Sequence, residues 1–331
     1  MESIRESLWF YCKEGAQIKM EYITLKNSDL KVSRICMGGC PMGGYGWGNV
    51  QETELIDAVH TAIDRGINFF DTADTYGLGQ SELTLGKALG NQREKVIVAS
   101  KFGVRVGGGK TVYDNSPDWI YEALKGSLKR LGTDYIDLYQ VHYRDGVTPI
   151  SEVVDTLENL KKQGLIRYYG LSNVHQEDLS ELLPYAGRFV SFQDEYSLAC
   201  RKNEEDMIFI SKKMNMTPLT WGSLGQGILT GKYNRNSKFG SDDRRSREIY
   251  VNFHGEKFLK NLEIVEAMKE IAVQHNTSIA SVAIRFILDY LPESVVLCGA
   301  KRPDQILSNI EGVGWLLSQS EINNLDEMSR G

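Results

Sequence analysis

The chain has 331 residues, 41% apolar and 25% charged, which is enough for one large domain or two of ordinary size. Its net charge is −6, and Lys and Arg are scattered, so the basic surface that nucleic acid or an anionic membrane requires is not expected. Five cysteines occur without a CxxC pair, and no apolar run reaches the roughly 20 residues of a membrane span. We therefore expect a cytoplasmic protein with no metal site, no disulfide framework and no membrane helix.

The N-terminal residues 1–19 precede the first strand-like sequence, Met20-Glu21-Tyr22-Ile23. Their apolar run is too short, and their start too acidic, for a signal peptide. We treat them as an extension and predict no role for them. Residues 22–25 and 30–32 flank Lys26-Asn27-Ser28-Asp29, a pattern that predicts a short β-hairpin cap.

A glycine-rich loop, Gly43-Gly44-Tyr45-Gly46-Trp47-Gly48, follows a predicted strand over 35–37. Its glycines lack the GxGxxG spacing and do not open directly into a helix, so the loop is not a dinucleotide fingerprint. Two interpretations stay open. The loop is either simply flexible, or it forms a substrate-pocket wall that carries Tyr45 and Trp47.

Short apolar strands and amphipathic helices then alternate along the chain. Further strands are predicted up to Asp71 and over 96–100, 136–141, 167–171, 189–192, 217–220 and 294–298. Helices are predicted over 52–65, 82–89, 117–131, 151–162, 176–183, 204–213, 260–274, 278–290, 303–309 and 321–328. Ser116 and Pro117 provide an N-cap and a first helical residue. The polar segment 222–255 shows little periodicity and is predicted to be a loop.

Eight strands, nearly all followed by helices and without a boundary linker, predict one α/β domain over residues 20–331. The expected fold is a closed (β/α)8 TIM barrel with an N-terminal β-hairpin cap and extra C-terminal helices. A doubly wound sheet is the alternative, but such a sheet normally carries the glycine fingerprint that this sequence lacks.

Polar or aromatic residues stand at successive strand ends: Asp71, Lys101, His142, Asn173, Gln193 and Trp221, with Tyr76 just beyond the first. Each has an ordinary structural explanation when taken alone. In a barrel, however, all of them point into one mouth. Asp71 would pair with Lys101, and Lys101 would lower the pKa of the Tyr76 phenol. His142 would orient a substrate oxygen, so this set suits proton transfer to or from oxygen without a metal.

Six motifs occur in order along the chain: Asp71-Thr72-Ala73 with Tyr76, Val98-Ala99-Ser100-Lys101, Asp137-Leu138-Tyr139-Gln140-Val141-His142, Gly170-Leu171-Ser172-Asn173 with Gln193, Trp221-Gly222-Ser223-Leu224-Gly225-Gln226-Gly227, and Gly299-Ala300-Lys301-Arg302-Pro303-Asp304-Gln305 ending at Ser308-Asn309. Together they resemble the aldo-keto reductase superfamily over about residues 20–328. The style is closest to the bacterial branch with vegetative and inositol-operon reductases, which also resembles potassium-channel β subunits.

The resemblance implies a role for each matching residue. Tyr76 would be the general acid in reduction and the general base in oxidation, tuned by Lys101 and Asp71, with His142 orienting the carbonyl. The implied cofactor residues are Ser172, Asn173 and Gln193 for the nicotinamide carboxamide, Trp221 for stacking on its ring, Ser223, Leu224, Gln226 and Lys232 for the pyrophosphate, and Gly299, Lys301, Arg302, Gln305 and Asn309 for the adenosine end. The adjacent cations Lys301 and Arg302 suit a 2′-phosphate, which favours NADPH over NADH.

One departure from the family pattern lies after the histidine, where Tyr143-Arg144-Asp145 replaces a fixed aromatic residue. Together with Tyr143, Arg144 is expected to line the substrate pocket, and the polar loop would favour hydroxylated or anionic carbonyl compounds. Segment 234–256 either closes over the cofactor or is a surface insertion.

The expected activity is NADPH-dependent reduction of an aldehyde, ketone or sugar carbonyl, with a small molecule as the partner. The alternatives are a cofactor-binding regulatory or scaffold subunit, and a polyol or sugar dehydrogenase. Neither the substrate nor the oligomeric state is predicted.

Overall fold

A computed structural model describes residues 18–44, 46–48, 50–107 and 110–330. Tyr45 and residues 1–17 of the extension lie outside the described residues. The strands are β1 (Tyr22–Thr24), β2 (Lys31–Ser33), β3 (Ile35–Gly38), β4 (Phe69–Asp71), β5 (Ile97–Phe102), β6 (Val104–Gly107), β7 (Lys110–Tyr113), β8 (Ile136–Val141), β9 (Ile166–Ser172), β10 (Ser191–Glu195), β11 (Thr217–Trp221) and β12 (Val295–Gly299).

The barrel is closed and parallel, with the strand order β10-β11-β12-β3-β4-β5-β8-β9. The register opposes Asp71 to Ala99 and Lys101 to Gln140, which carries the polar residues of neighbouring strands to the same level. This arrangement confirms the predicted (β/α)8 TIM barrel. The strands read as apolar runs because parallel strands in a barrel are buried on both faces; all six residues of β5, for example, are buried.

The helices pack around the barrel and mostly agree with the predicted segments. They are α1 (Glu52–Asp64), α2 (Gln80–Leu89), α3 (Pro117–Leu131), α4 (Ile150–Lys162), α5 (Leu179–Leu182), α6 (Glu204–Met214), α7 (Gly255–His275), α8 (Ile279–Tyr290), α9 (Pro303–Ile310) and α10 (Gln319–Arg330). Ser116 caps α3 as expected, because its Oγ accepts a hydrogen bond from the Trp119 backbone N–H at 3.4 Å. None of the helices in the described ranges is long and apolar enough to cross a membrane.

The helix predicted over 176–183 is shorter in the structure. A 3-10 turn at Gln176–Asp178 leads into the single turn of α5, and a second 3-10 turn spans Leu183–Tyr185. Pro184 explains the early end, because it has no N–H to donate and its ring collides with the preceding turn.

The hairpin formed by β1 and β2 closes the amino-terminal end of the barrel. Leu25, Leu30 and Val32 pack in one cluster with inward-facing strand residues such as Phe69 and Leu138. Because apolar side chains fill that end, the carboxyl ends of the strands form the open mouth.

Two features near this mouth shape its rim. The hairpin of β6 and β7 follows the Lys101 strand and was not predicted from the sequence. Segment 234–256 runs beside the glycine-rich loop, where the Arg244 backbone N–H donates to the Gly46 carbonyl at 3.1 Å. Of the two interpretations of this segment, the one in which it closes over the mouth agrees with this contact.

Candidate active site

The strand ends surround a cavity of about 640 Å³. Asp71, His142 and Trp221 line it together with Tyr76, as the barrel topology predicts. Lys101 lies one layer deeper and has no exposed surface. A buried ammonium is costly unless it is paired, so its contacts determine what the site can do.

The Lys101 ammonium has three hydrogen-bond partners, which matches its three N–H groups. Nζ donates to Asp71 Oδ1 at 2.5 Å, to the Thr72 carbonyl at 3.0 Å and to the Tyr76 hydroxyl at 3.3 Å. The loop that carries Tyr76 sits tightly on the glycine-rich loop, because a Cβ at Gly77 would collide with the Gly43 carbonyl oxygen. These contacts fix the phenol against a buried ion pair.

The pKa of Tyr76 differs from the sequence-based expectation. Burial, and then the nearby Asp71 carboxylate, raise the pKa of Tyr76 well above its usual value of 10.0. The prediction that Lys101 lowers this pKa is therefore wrong. The reason is that Lys101 is neutralised by Asp71, so the phenol experiences an ion pair in a desolvated site and not an isolated cation. Tyr76 is a neutral proton donor at physiological pH.

His142 is also held in its neutral form. Burial, and then the charge of Lys101, hold the pKa of His142 well below its usual value of 6.5. Its ring lies edge-on to Tyr76, with 5.8 Å between the ring centroids, and stacks on Tyr143 at 5.0 Å. A neutral imidazole beside a neutral phenol places two uncharged hydrogen-bond donors in the same cavity.

The residues assigned to a carboxamide lie next to His142 and Asp71 in the same mouth. Ser172, Asn173 and Gln193 all line the cavity, and Trp221 stands beside them. Asn173 adopts a left-handed backbone conformation with φ of 52°, and its Nδ2 donates to the His142 carbonyl at 3.0 Å. This contact ties the amide-bearing strand end to the histidine strand end.

Asp71 has two further partners, one of which was not identified from the sequence as a site residue. Gln193 Nε2 donates to Asp71 Oδ2 at 2.9 Å, and Gln140 Nε2 donates to the same oxygen at 3.0 Å. Gln140 is fully buried on β8 and does not line the cavity. A carboxamide inside a fully buried strand was the available signal, since a buried polar group requires a partner.

The opposite end of the cavity is strongly basic. The residues assigned to a pyrophosphate or adenosine group line this region: Ser223, Leu224, Gln226, Lys232, Gly299, Lys301, Arg302, Gln305 and Asn309. Arg244 and Arg245 also line it, and the sequence analysis did not single them out. Two adjacent arginines in the loop across the mouth were the overlooked signal.

Several of these side chains also have contacts within the protein. The Gln226 amide donates to Glu195 at 3.0 Å and accepts from Asn252 at 3.0 Å. Lys301 Nζ donates to the Trp47 carbonyl at 2.6 Å, and Arg302 pairs with Asp304 at 3.0 Å. The Gln226 side chain is therefore already paired, and its backbone, which has a left-handed conformation, is more available to a ligand than its side chain.

The electrostatics of this end fit an anionic ligand with phosphate groups. Burial, then Arg245 and Lys301, lower the pKa of Lys232 from 10.5 to about 8. Burial, then Arg245 and Arg302, also lower the pKa of Lys301. Mutual repulsion of cations in a partly buried cluster is relieved by a bound phosphate. With amide groups at one end and cations at the other, the cavity suits a nicotinamide dinucleotide.

Only some of the described residues predicted to form the substrate pocket line the cavity. Trp47 and Tyr143 line the cavity, whereas Tyr45 lies outside the described residues. Arg144 does not line it, and its Nη2 pairs instead with Glu181 at 3.0 Å. Asp145 accepts hydrogen bonds from the Asn115 and Thr148 backbones. The prediction that Arg144 and Asp145 make the pocket polar is therefore wrong.

Comparison with known proteins agrees with this geometry. A model described as the aldo/keto reductase family matches residues 34–330. Aldo-keto reductase YhdN of Bacillus subtilis is 35% identical over 314 residues, covering 93% of this chain and 94% of that protein. NADH-specific methylglyoxal reductase of Escherichia coli is 32% identical over 326 residues, covering 94% and 98%. The structure of a glycerol dehydrogenase from Gluconobacter oxydans is similar with a TM-score of 0.84 and 33% identity, covering 93% and 94%.

Proposed function

The chain belongs to the aldo/keto reductase family of oxidoreductases, and we propose that it reduces the carbonyl group of an aldehyde, ketone or sugar with NADPH. One observation carries the proposal: the Tyr76 hydroxyl lies 3.3 Å from Lys101 Nζ beside His142 at the cavity mouth. A protonated phenol next to a buried ammonium is suited to deliver a proton to oxygen.

A bound nicotinamide cofactor would supply the hydride that reaches the carbonyl carbon. Tyr76 would donate its proton to the carbonyl oxygen, and neutral His142 would hold that oxygen by an N–H hydrogen bond. The phenolate left on Tyr76 would be stabilised by the Lys101 ammonium until solvent returns a proton. Asp71 would remain paired with Lys101 throughout, since the two groups are in contact at 2.5 Å.

The residues that would hold the cofactor divide by chemistry. Ser172, Asn173 and Gln193 would bind the carboxamide, and Trp221 would stack on the nicotinamide ring. Ser223, Leu224, the Gln226 backbone and Lys232 would bind the pyrophosphate, assisted by Arg244 and Arg245. Gly299, Lys301, Arg302, Gln305 and Asn309 would hold the adenosine end. The Arg302–Asp304 pair is exposed and would yield to a 2′-phosphate at small cost.

The preference for NADPH rests on the excess of positive charge around Lys232 and Lys301, which a third phosphate group would reduce further. An NADH-specific relative makes the preference a point to be measured. We expect NADPH to bind at least about tenfold more tightly than NADH, the equivalent of about 1.4 kcal/mol.

A second candidate is oxidation of a polyol, which the similarity to a glycerol dehydrogenase favours. The same side chains would act in reverse, with Tyr76 as the base. Because burial raises the pKa of Tyr76, the phenolate form is rare near neutral pH. We therefore expect reduction to dominate at neutral pH and any polyol oxidation to increase toward alkaline pH.

The test is a cofactor titration followed by a substrate panel. NADPH and NADH are titrated by fluorescence, and turnover is then measured with methylglyoxal, aromatic aldehydes and aldose sugars, and with glycerol plus NADP⁺. Tight NADPH binding with carbonyl turnover supports the proposal. NADPH binding without turnover of any carbonyl or polyol contradicts it and favours the scaffold alternative.

A further inference from the structure

We propose that Gln140 is a positioning residue: it holds Gln193 with its carbonyl oxygen toward the cavity and, together with Gln193, holds the Asp71 carboxylate in place. The site thereby links recognition of the cofactor carboxamide to the pair that supports the proton donor. This inference rests on the proposed function, because it concerns how that function is set up.

The Asp71 carboxylate accepts hydrogen bonds from three side chains. Its Oδ1 accepts from Lys101, and its Oδ2 accepts from the amides of both Gln140 and Gln193. These four residues come from four different strands, and each residue as a whole is at most 2% exposed. Amide N–H groups facing Oδ2 leave Oδ1 for the ammonium, so the carboxylate cannot rotate without losing a donor.

The Gln193 amide is held in one orientation by two hydrogen bonds that its Nε2 donates. Its Nε2 donates to Asp71 Oδ2 at 2.9 Å and to Gln140 Oε1 at 3.3 Å, which uses both N–H groups. A flipped amide would place its carbonyl oxygen against the Asp71 carboxylate and the Gln140 carbonyl, where two acceptors repel. Gln193 Oε1 is therefore the remaining polar atom of the side chain, and the residue lines the cavity.

Gln193 Oε1 can accept a hydrogen bond from a ligand in the cavity. A carbonyl oxygen accepts an N–H, and the carboxamide of nicotinamide carries two such donors. The ligand's oxygen would be repelled from this position, so the fixed amide favours one orientation of the nicotinamide carboxamide. Gln140 does not reach the cavity, and its influence on the ligand passes through Gln193 and Asp71.

A purely structural role for Gln140 is the competing explanation, and kinetic readouts distinguish the two. Gln140→Met keeps the length of the side chain and removes both hydrogen bonds. We expect the NADPH Kd to rise and kcat to fall, each by about tenfold, which corresponds to one lost hydrogen bond of ordinary strength. A structural role alone would lower the unfolding midpoint and leave both constants within about twofold of wild type.

Gln140→Glu provides the rescue. A protonated Glu keeps one O–H donor for Asp71 and one carbonyl acceptor for Gln193, whereas an ionised Glu repels Asp71. The ratio of the variant's kcat to the wild-type kcat should therefore lie near one at about pH 6 and decline at least about tenfold by about pH 9. A flat ratio over this range would overturn the proposal.

Tyr139→Phe is the matched control, because Tyr139 is the adjacent buried residue of β8 and packs in the outer cluster, between the barrel and the helices. It should leave the NADPH Kd and kcat within about twofold of wild type. If wild type itself neither binds NADPH nor turns over a carbonyl, the proposed function fails. If wild type is active and Gln140→Met matches it in Kd and kcat, only the role of Gln140 fails.

Discussion

Breaking the buried ion pair of Asp71 and Lys101 beneath Tyr76 should reveal how much that pair contributes to the stability of the fold. The Lys101 side chain is 0% exposed and that of Asp71 is 3% exposed. Lys101→Met keeps most of the volume and leaves a buried carboxylate without its cation, a change that costs about 3–5 kcal/mol in typical proteins. Because Asp71 Oδ2 keeps its two amide donors, we expect the lower end, about 3 kcal/mol.

The assay is urea unfolding of wild type, Lys101→Met, Asp71→Asn and the double variant at neutral pH. The double variant has no unpaired buried charge, so its loss should be smaller than the sum of the single losses by about 2 kcal/mol or more. Additive losses would refute the reasoning.

Three further perturbations test separate parts of the molecule. NADPH affinity, measured by fluorescence titration, should weaken as pH rises through about 8. The reason is that the pKa of Lys232 is about 8 and a bound phosphate keeps this lysine protonated. The Lys232→Met variant should show little of this pH dependence. Asp74→Asn should increase the free energy of unfolding at pH 8 by about 2 kcal/mol in urea titrations. Burial raises the pKa of Asp74 to about 8, so between about pH 4 and 8 the carboxyl ionises more readily in the unfolded chain, which destabilises the fold. An unchanged free energy of unfolding would contradict this. Arg144→Ala should leave kcat/KM within about twofold and lower stability by about 1 kcal/mol through loss of the Glu181 pair; a large change in KM would return Arg144 to the substrate pocket.

The barrel and the main site residues were predictable because their signals are local. Apolar runs mark the strands, and the residue that ends each run must face the mouth once the sheet closes. Asp71, His142 and Trp221 followed from this rule without any knowledge of register. The hairpin of β6 and β7 was missed because its strands are only four residues long, are largely exposed and lie beside a run of glycines.

The remaining features depend on contacts between distant parts of the chain. Gln140 and Gln193 meet at Asp71 only through the pairing of strands that are far apart in sequence. The direction of Arg144 is set by Glu181 on a different element, which a loop sequence does not indicate. The pKa of Tyr76 depends on how fully burial outweighs a neutralised cation, and composition contains no measure of that balance.

The most direct test of the account is Tyr76→Phe, with NADPH binding and carbonyl turnover measured on the same preparation. We expect Tyr76→Phe to have an NADPH Kd within about threefold of wild type, because the hydroxyl is assigned to proton transfer and not to cofactor binding. We also expect its kcat to be lower by about 100-fold or more, the usual contribution of a positioned general acid. Retention of wild-type kcat by Tyr76→Phe would contradict the assignment of the proton donor.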